Sequence, residues 1–63
     1  MKRIRVLIID DSSVVHVLLE RVLSELPDIE VAGNAYRARE GIRLNLELRP
    51  DVVVTDITMP GMS

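Results

Sequence analysis

Cysteine is absent from this 63-residue chain, so neither a disulfide framework nor a thiolate metal site is available to a fold this small. Tryptophan and phenylalanine are missing too. Tyr36 is the one aromatic residue, which leaves no stacking platform for single-stranded nucleic acid. No apolar run exceeds four residues, far short of a membrane span. The opening MKRIRVLIIDD sets basic residues before an apolar run, but that run is too short for a signal peptide and ends in two acids. A cytoplasmic location is therefore expected. Neither sign of charge dominates: eight basic and ten acidic residues are mixed along the chain for a net charge of −2. That balance argues against nucleic acid or a membrane surface as the main partner. The phosphate-cradling patterns GxxxxGK[ST] and GxGxxG do not occur, so nucleotide binding has no support.

Apolar content, at 48%, is ample, and its period changes along the chain. Ile4–Ile9 (IRVLII) is rich in β-branched residues and apolar except for Arg5 near its start, the signature of a strand buried on both faces, as in parallel sheets covered by helices. Asp10-Asp11-Ser12-Ser13 breaks the run, and either serine is able to cap the helix that follows. From Val14 to Leu26 two neighbouring rows, Val14/Leu18/Val22/Leu26 and Val15/Leu19/Leu23, form a wide apolar stripe. Pro27 then stops the helix. His16, polar within this pattern, reads as a helix-surface residue and not as a ligand or phosphodonor.

Ile29–Ala35 reads as a short strand at a sheet edge, interrupted by Gly33-Asn34. A second helix is expected over about Ala38–Leu48, with Ala38, Ile42 and Leu46 on its inner face, broadened by Leu44 and Leu48. Gly41 inside it costs about 1 kcal/mol relative to alanine, which points to close packing. Arg49-Pro50 ends the helix, and DVVVTD brings a third strand, ending in Asp56.

The order β-α-β-α-β with short loops predicts an α/β fold with a parallel sheet and right-handed crossovers. In such sheets ligands bind outside the carboxyl ends of the strands. Asp10, Asp11 and Asp56 all fall at such ends, and adjacent first and third strands would bring them into one pocket. Carboxylates packed together repel until one is protonated or a cation joins them. Mg²⁺ suits such a set, being a hard ion that takes one or two carboxylates and often bridges to phosphate. An acid beside it could attack phosphorus and form an acyl phosphate. The blander alternative is that Asp10 or Asp11 helps cap the helix and Asp56 opens a turn.

Ile8-Ile9-Asp10-Asp11-Ser12, followed at this spacing by RPDVVVTDITMPGM (residues 49–62), resembles the receiver domain of two-component response regulators. It is similar in particular to the receivers of chemotaxis methylesterases and of DNA-binding regulators. The resemblance runs through residues 1–63 and implies half of a flavodoxin-like, doubly wound parallel sheet with strand order 2-1-3. It further implies that Asp56 is the phosphoacceptor, charged from a phosphohistidine on a sensor histidine kinase. Asp10, Asp11, Asp56 and the backbone carbonyl of Thr58 would hold Mg²⁺, and the side chain at Thr58 would tune dephosphorylation. Arg37-Ala38 replaces the Asp-Gly or Asn-Gly pair common after the second strand, Tyr36 is bulkier than usual, and His16 stands where many relatives carry arginine.

A receiver has five strands, and the resemblance here stops after the third. The expectation is a truncated receiver, 1–63, with the acceptor and metal half of the site and without the switching half. Such a unit would expose the apolar edge of strand 51–55 and would pair or swap there into a homodimer. It would act as a phosphorylated switch and not as an enzyme. Two other readings compete. One is a truncated or engineered half-domain whose role is structural and self-assembling. The other is a haloacid-dehalogenase-type enzyme, but that scheme wants a second aspartate where Thr58 stands.

Overall fold

The computed structural model describes residues 2–56. Three strands, β1 (Ile4–Ile9), β2 (Ile29–Ala35) and β3 (Val52–Thr55), form one parallel sheet in the order β2-β1-β3. Helix α1 (Ser13–Ser24) joins β1 to β2, and α2 (Ala38–Leu48) joins β2 to β3. The first crossover runs outward from β1 and the second runs back across it. Right-handed connections in opposite directions place α1 and α2 on opposite faces of the sheet. This is half of a flavodoxin-like fold, as the strand pattern predicts.

Central β1 is covered on both sides. Val6, Leu7, Ile8 and Ile9 are buried, Leu7 and Ile8 completely, because alternate side chains enter opposite layers. Leu7 and Ile9 join Ala35, Ala38 and Leu44 in the core beneath α2. Strand β2 lies at the edge, as expected, but Gly33-Asn34 does not interrupt it. The register passes from Val6↔Val31 to Leu7↔Gly33, so Ala32 is an extra residue in a bulge and the strand continues to Ala35. A Cβ at Gly33 would lie 2.7 Å from Leu48 Cδ1, so the absent side chain is what lets α2 approach.

Both helices choose their inner faces differently from the simplest reading of the periodicity. On α1 the row Val15/Leu19/Leu23 faces inward, whereas Val14, Leu18 and Val22 are exposed. The inner row is completed by His16, which is buried and so corrects its assignment to the helix surface. On α2 the inner face is Ala38, Gly41, Leu44 and Leu48, while Ile42 and Leu46 point outward. Gly41 decides this: a Cβ there would lie 2.5 Å from Ile9 Cδ1, so the helix rests on β1 through its glycine. α1 also ends two residues before Leu26. The bonds from Glu25 N–H to Val22 and from Leu26 N–H to Leu23 tighten the chain into three-residue turns ahead of Pro27.

The C-terminus of α2 is tied to the sheet. Arg49 sits in the left-handed region at φ 48° and closes the helix by donating its N–H to the Asn45 carbonyl at 3.1 Å. The Arg5 guanidinium donates to the Leu48 carbonyl, and the Arg5 N–H donates to Asp51 Oδ2 at 2.8 Å. The Asp51 N–H returns a 2.8 Å bond to the Arg5 carbonyl. These contacts start β3 in register with β1. No helix among the described residues is long and apolar enough to cross a membrane.

Candidate functional site

The site lies where β1 and β3 end side by side. Their pairing runs from Val6↔Val52 to Ile9↔Thr55, and the next ladder bond, from Asp56 N–H to the Ile9 carbonyl, is 3.2 Å long. On the other side, the Asp10 N–H donates to the Ala35 carbonyl of β2 at 3.0 Å. Backbone bonds alone therefore bring Asp10 and Asp56 to the same level of the sheet. Asp11 follows directly on the turn into α1.

That turn is built from the acids and serines themselves. Asp10 Oδ1 accepts from the Ser12 N–H at 2.9 Å, leaving Oδ2 for other use. Ser12 caps α1, with its Oγ accepting from the Val15 N–H at 3.4 Å. Asp10 thus bonds the N–H of the capping residue and not a free N–H of the helix, and the same carboxyl group also faces the cluster.

Asp10, Asp11 and Asp56 each offer a carboxylate oxygen, and the three lie within 4.8 Å of one another. Asp10 and Asp56 are half-buried and Asp11 is exposed. Opposite ligands of an octahedral Mg²⁺ are about 4.2 Å apart, since each Mg–O bond is about 2.1 Å, so a small side-chain rotation or one bridging water lets the set close on the ion. The donor set is all oxygen, as a hard cation requires. The expected convergence of the three acids is therefore present. Thr58, the fourth expected ligand and tuning position, lies outside the described residues.

Sequence reasoning missed a side-chain network centred on His16, behind this cluster. His16 is 2% exposed, and its Nε2–H donates to the Asp10 carbonyl at 2.8 Å. Its Nδ1 lies 2.6 Å from Asn34 Oδ1, and Asn34 Nδ2 donates to Glu20 Oε1 at 3.0 Å. Tyr36 lies against the imidazole, with ring centroids 4.2 Å apart and planes inclined by 33°. The large side chain at position 36 thus covers a buried histidine. The signal in the sequence was spacing: His16 stands three and seven residues before Leu19 and Leu23, which belong to the half-buried inner row. The loop into α2 compensates differently for lacking a small residue pair. Arg37 caps the helix without a side-chain bond, and Glu40 Oε1 reaches back to accept from the Tyr36 N–H at 2.9 Å.

Comparison with known proteins follows the same geometry. Residues 6–63 match the family model described as the response regulator receiver domain. The transcriptional regulatory protein LiaR of Bacillus subtilis is 51% identical over 59 residues, which are 94% of this chain and 28% of LiaR. A protein-glutamate methylesterase/protein-glutamine glutaminase of Carboxydothermus hydrogenoformans is 47% identical over 62 residues, 98% of this chain and 18% of that protein. The chain thus spans under a third of either relative. In three dimensions it superposes on the response regulator domain of Thermotoga maritima CheB with a TM-score of 0.91 and 37% identity, covering 98% of this chain and 46% of that one.

Proposed function

The chain belongs to the response regulator receiver domain family, and on that premise we propose that Asp56 is the phosphorylated residue of a two-component relay. The donor is a phosphohistidine on a sensor histidine kinase. An Asp56 carboxylate oxygen bonds to phosphorus as the P–N bond breaks, and the imidazole leaves with that electron pair. The observation that carries the reading is the convergence of Asp10, Asp11 and Asp56 within 4.8 Å at the carboxyl ends of β1 and β3.

Asp10, Asp11 and Asp56 are the residues to hold Mg²⁺, with the Thr58 carbonyl as a further ligand and the Thr58 side chain as the group that tunes dephosphorylation. When bound, the ion neutralises charge that develops on the transferred phosphoryl oxygens. The ladder bond from Asp56 N–H to Ile9 anchors the acceptor's backbone, so little conformational freedom is lost when the carboxylate is aligned for attack. Residues 1–63 act as one unit in this scheme, and they carry no part of the esterase activity named for some relatives.

A second copy of the chain is the partner that suits the β3 edge. Val52, Val53 and Val54 are 39% to 45% exposed there, and an apolar strand edge is a template for pairing. A dehalogenase-type enzyme is set aside by the family match, and a purely structural role finds no support in it.

Acetyl phosphate with Mg²⁺, read by intact mass, tests the reading. One labile phosphoryl adduct is expected, lost when Mg²⁺ is chelated and lost in Asp56→Asn. An adduct that persists in Asp56→Asn would remove Asp56 from the role.

A further inference from the structure

We propose that His16 is a positioning residue for the cation site. It acts through the one peptide group that the two metal-side acids share. The Asp10 carbonyl, which accepts from His16 Nε2 at 2.8 Å, belongs to the peptide bond linking Asp10 to Asp11. The Asp10 N–H is already fixed to Ala35, and Asp10 Oδ1 is fixed to the Ser12 N–H. The His16 bond fixes the plane of the peptide between the two acids, which no ladder bond sets. Rotating it redirects the Cα–Cβ bond of Asp11 and carries its exposed carboxylate away from Asp10 and Asp56.

The imidazole is itself held rigidly. Nδ1 meets Asn34 Oδ1, Glu20 fixes the Asn34 amide from the far side, and Tyr36 lies against the ring. At 2% exposure the ring exchanges none of these contacts with water. The chain Glu20–Asn34–His16–Asp10 therefore transmits the placement of β2 and α1 to the acids, through bonds that a buried group breaks only at cost. Partners that orient metal ligands from behind in this way are commonly worth ten- to a hundred-fold in metal affinity.

The proposal rests on the Mg²⁺ reading of the acidic cluster, and the test separates the two. Mg²⁺ affinity is measured by titration calorimetry on the full chain, for the parent and for His16→Gln, His16→Asn and His16→Leu, with Asp11→Asn as the site control. Glutamine places an amide nitrogen four bonds from Cα, where Nε2 stands. Asparagine places one three bonds out, where Nδ1 stands. The expected result is near-parental affinity for Gln and a loss of about 10-fold for Asn and Leu. In the metal-free state, the Asp10 carbonyl carbon resonance should move in Asn and Leu but stay in place in Gln.

Parental affinity in Asn and Leu, or an equal loss in all three, overturns the positioning role. A parent that binds Mg²⁺ no better than Asp11→Asn fails the metal reading and takes this proposal with it. If Leu does not fold, the contrast between Gln and Asn decides with the Asp10 carbonyl resonance, because both keep an amide in the buried site and place it at different partners.

Discussion

Gly41→Ala is expected to destabilise the chain, against the ordinary rule for helices. In an exposed helix interior this substitution gains about 1 kcal/mol, because alanine loses less backbone entropy on folding. Here the new Cβ would lie 2.5 Å from Ile9 Cδ1, 2.9 Å from Cγ1 and 3.0 Å from Cγ2. A single clash with Cδ1 would be relieved by a rotamer change. Contacts with both branches at Cβ are not, since turning χ1 only exchanges one branch for another. Ile9 is 8% exposed and packed among Leu7, Ala35, Ala38 and Leu44, so it has no free volume to enter. Overpacking of this kind costs about 1–3 kcal/mol, which offsets the propensity gain and leaves a net loss of about 1 kcal/mol.

Urea unfolding followed by circular dichroism measures this as a fall in midpoint at constant slope. The decisive companion is Ile9→Val, which removes Cδ1 and alone costs about 0.5–1.5 kcal/mol. If the clash is the cause, Gly41→Ala should cost less in the Ile9→Val background than in the parent. The coupling energy should then be about 1 kcal/mol, inside the range for contacting residues. A stabilised Gly41→Ala, or strict additivity in the cycle, would refute the packing account. The consequence reaches the site, because the Ile9 carbonyl accepts the bond that sets Asp56 beside Asp10.

The acidic cluster predicts a trade of stability for binding. Asp11→Asn relieves repulsion among three carboxylates within 4.8 Å and should raise the melting temperature without metal, while abolishing the further rise that Mg²⁺ gives the parent. A lower metal-free melting temperature would contradict it. At the end of α2, Arg49 holds φ 48° without being glycine, so Arg49→Gly should stabilise by a few tenths to about 1 kcal/mol in urea unfolding. Sedimentation at micromolar concentration should show a dimer that Val53→Lys converts to monomer, since a lysine on the exposed edge opposes strand pairing. A compact parental monomer would dismiss the edge as a self-association surface.

Most of the framework was legible from period and punctuation. Strand β1 and helix α2 have the bounds that the sequence implies, and the strand-end acids meet as the β-α-β-α-β order requires. The helix faces were less legible, for a physical reason. α1 has six apolar residues in two adjacent rows, so periodicity defines a stripe wider than the surface β2 and β1 offer it. What selects the inner row is a polar side chain: His16 finds Asn34 and the Asp10 carbonyl, and its neighbours at Leu19 and Leu23 turn inward with it. On α2 the selection comes from an absent side chain, since only a face containing Gly41 lets the axis approach Ile9. Neither hydrogen-bond complementarity nor a close backbone approach has a signature in hydrophobic spacing.

That contrast explains why the acids could be placed before the helices that surround them. Asp10 and Asp56 owe their positions to main-chain bonds, to Ala35 on one side and Ile9 on the other, and any sequence that forms the ladder puts them at one level. Asp11 has no ladder partner of this kind, because it has already turned toward α1. Its direction depends on the Asp10–Asp11 peptide, held from behind by a side chain that a different residue at position 16 would not reproduce. The site therefore divides into two acids fixed by topology and one fixed by side-chain chemistry. Variation at His16, Asn34 and Tyr36 should change the direction of the Asp11 carboxylate and leave the position of Asp56 unchanged.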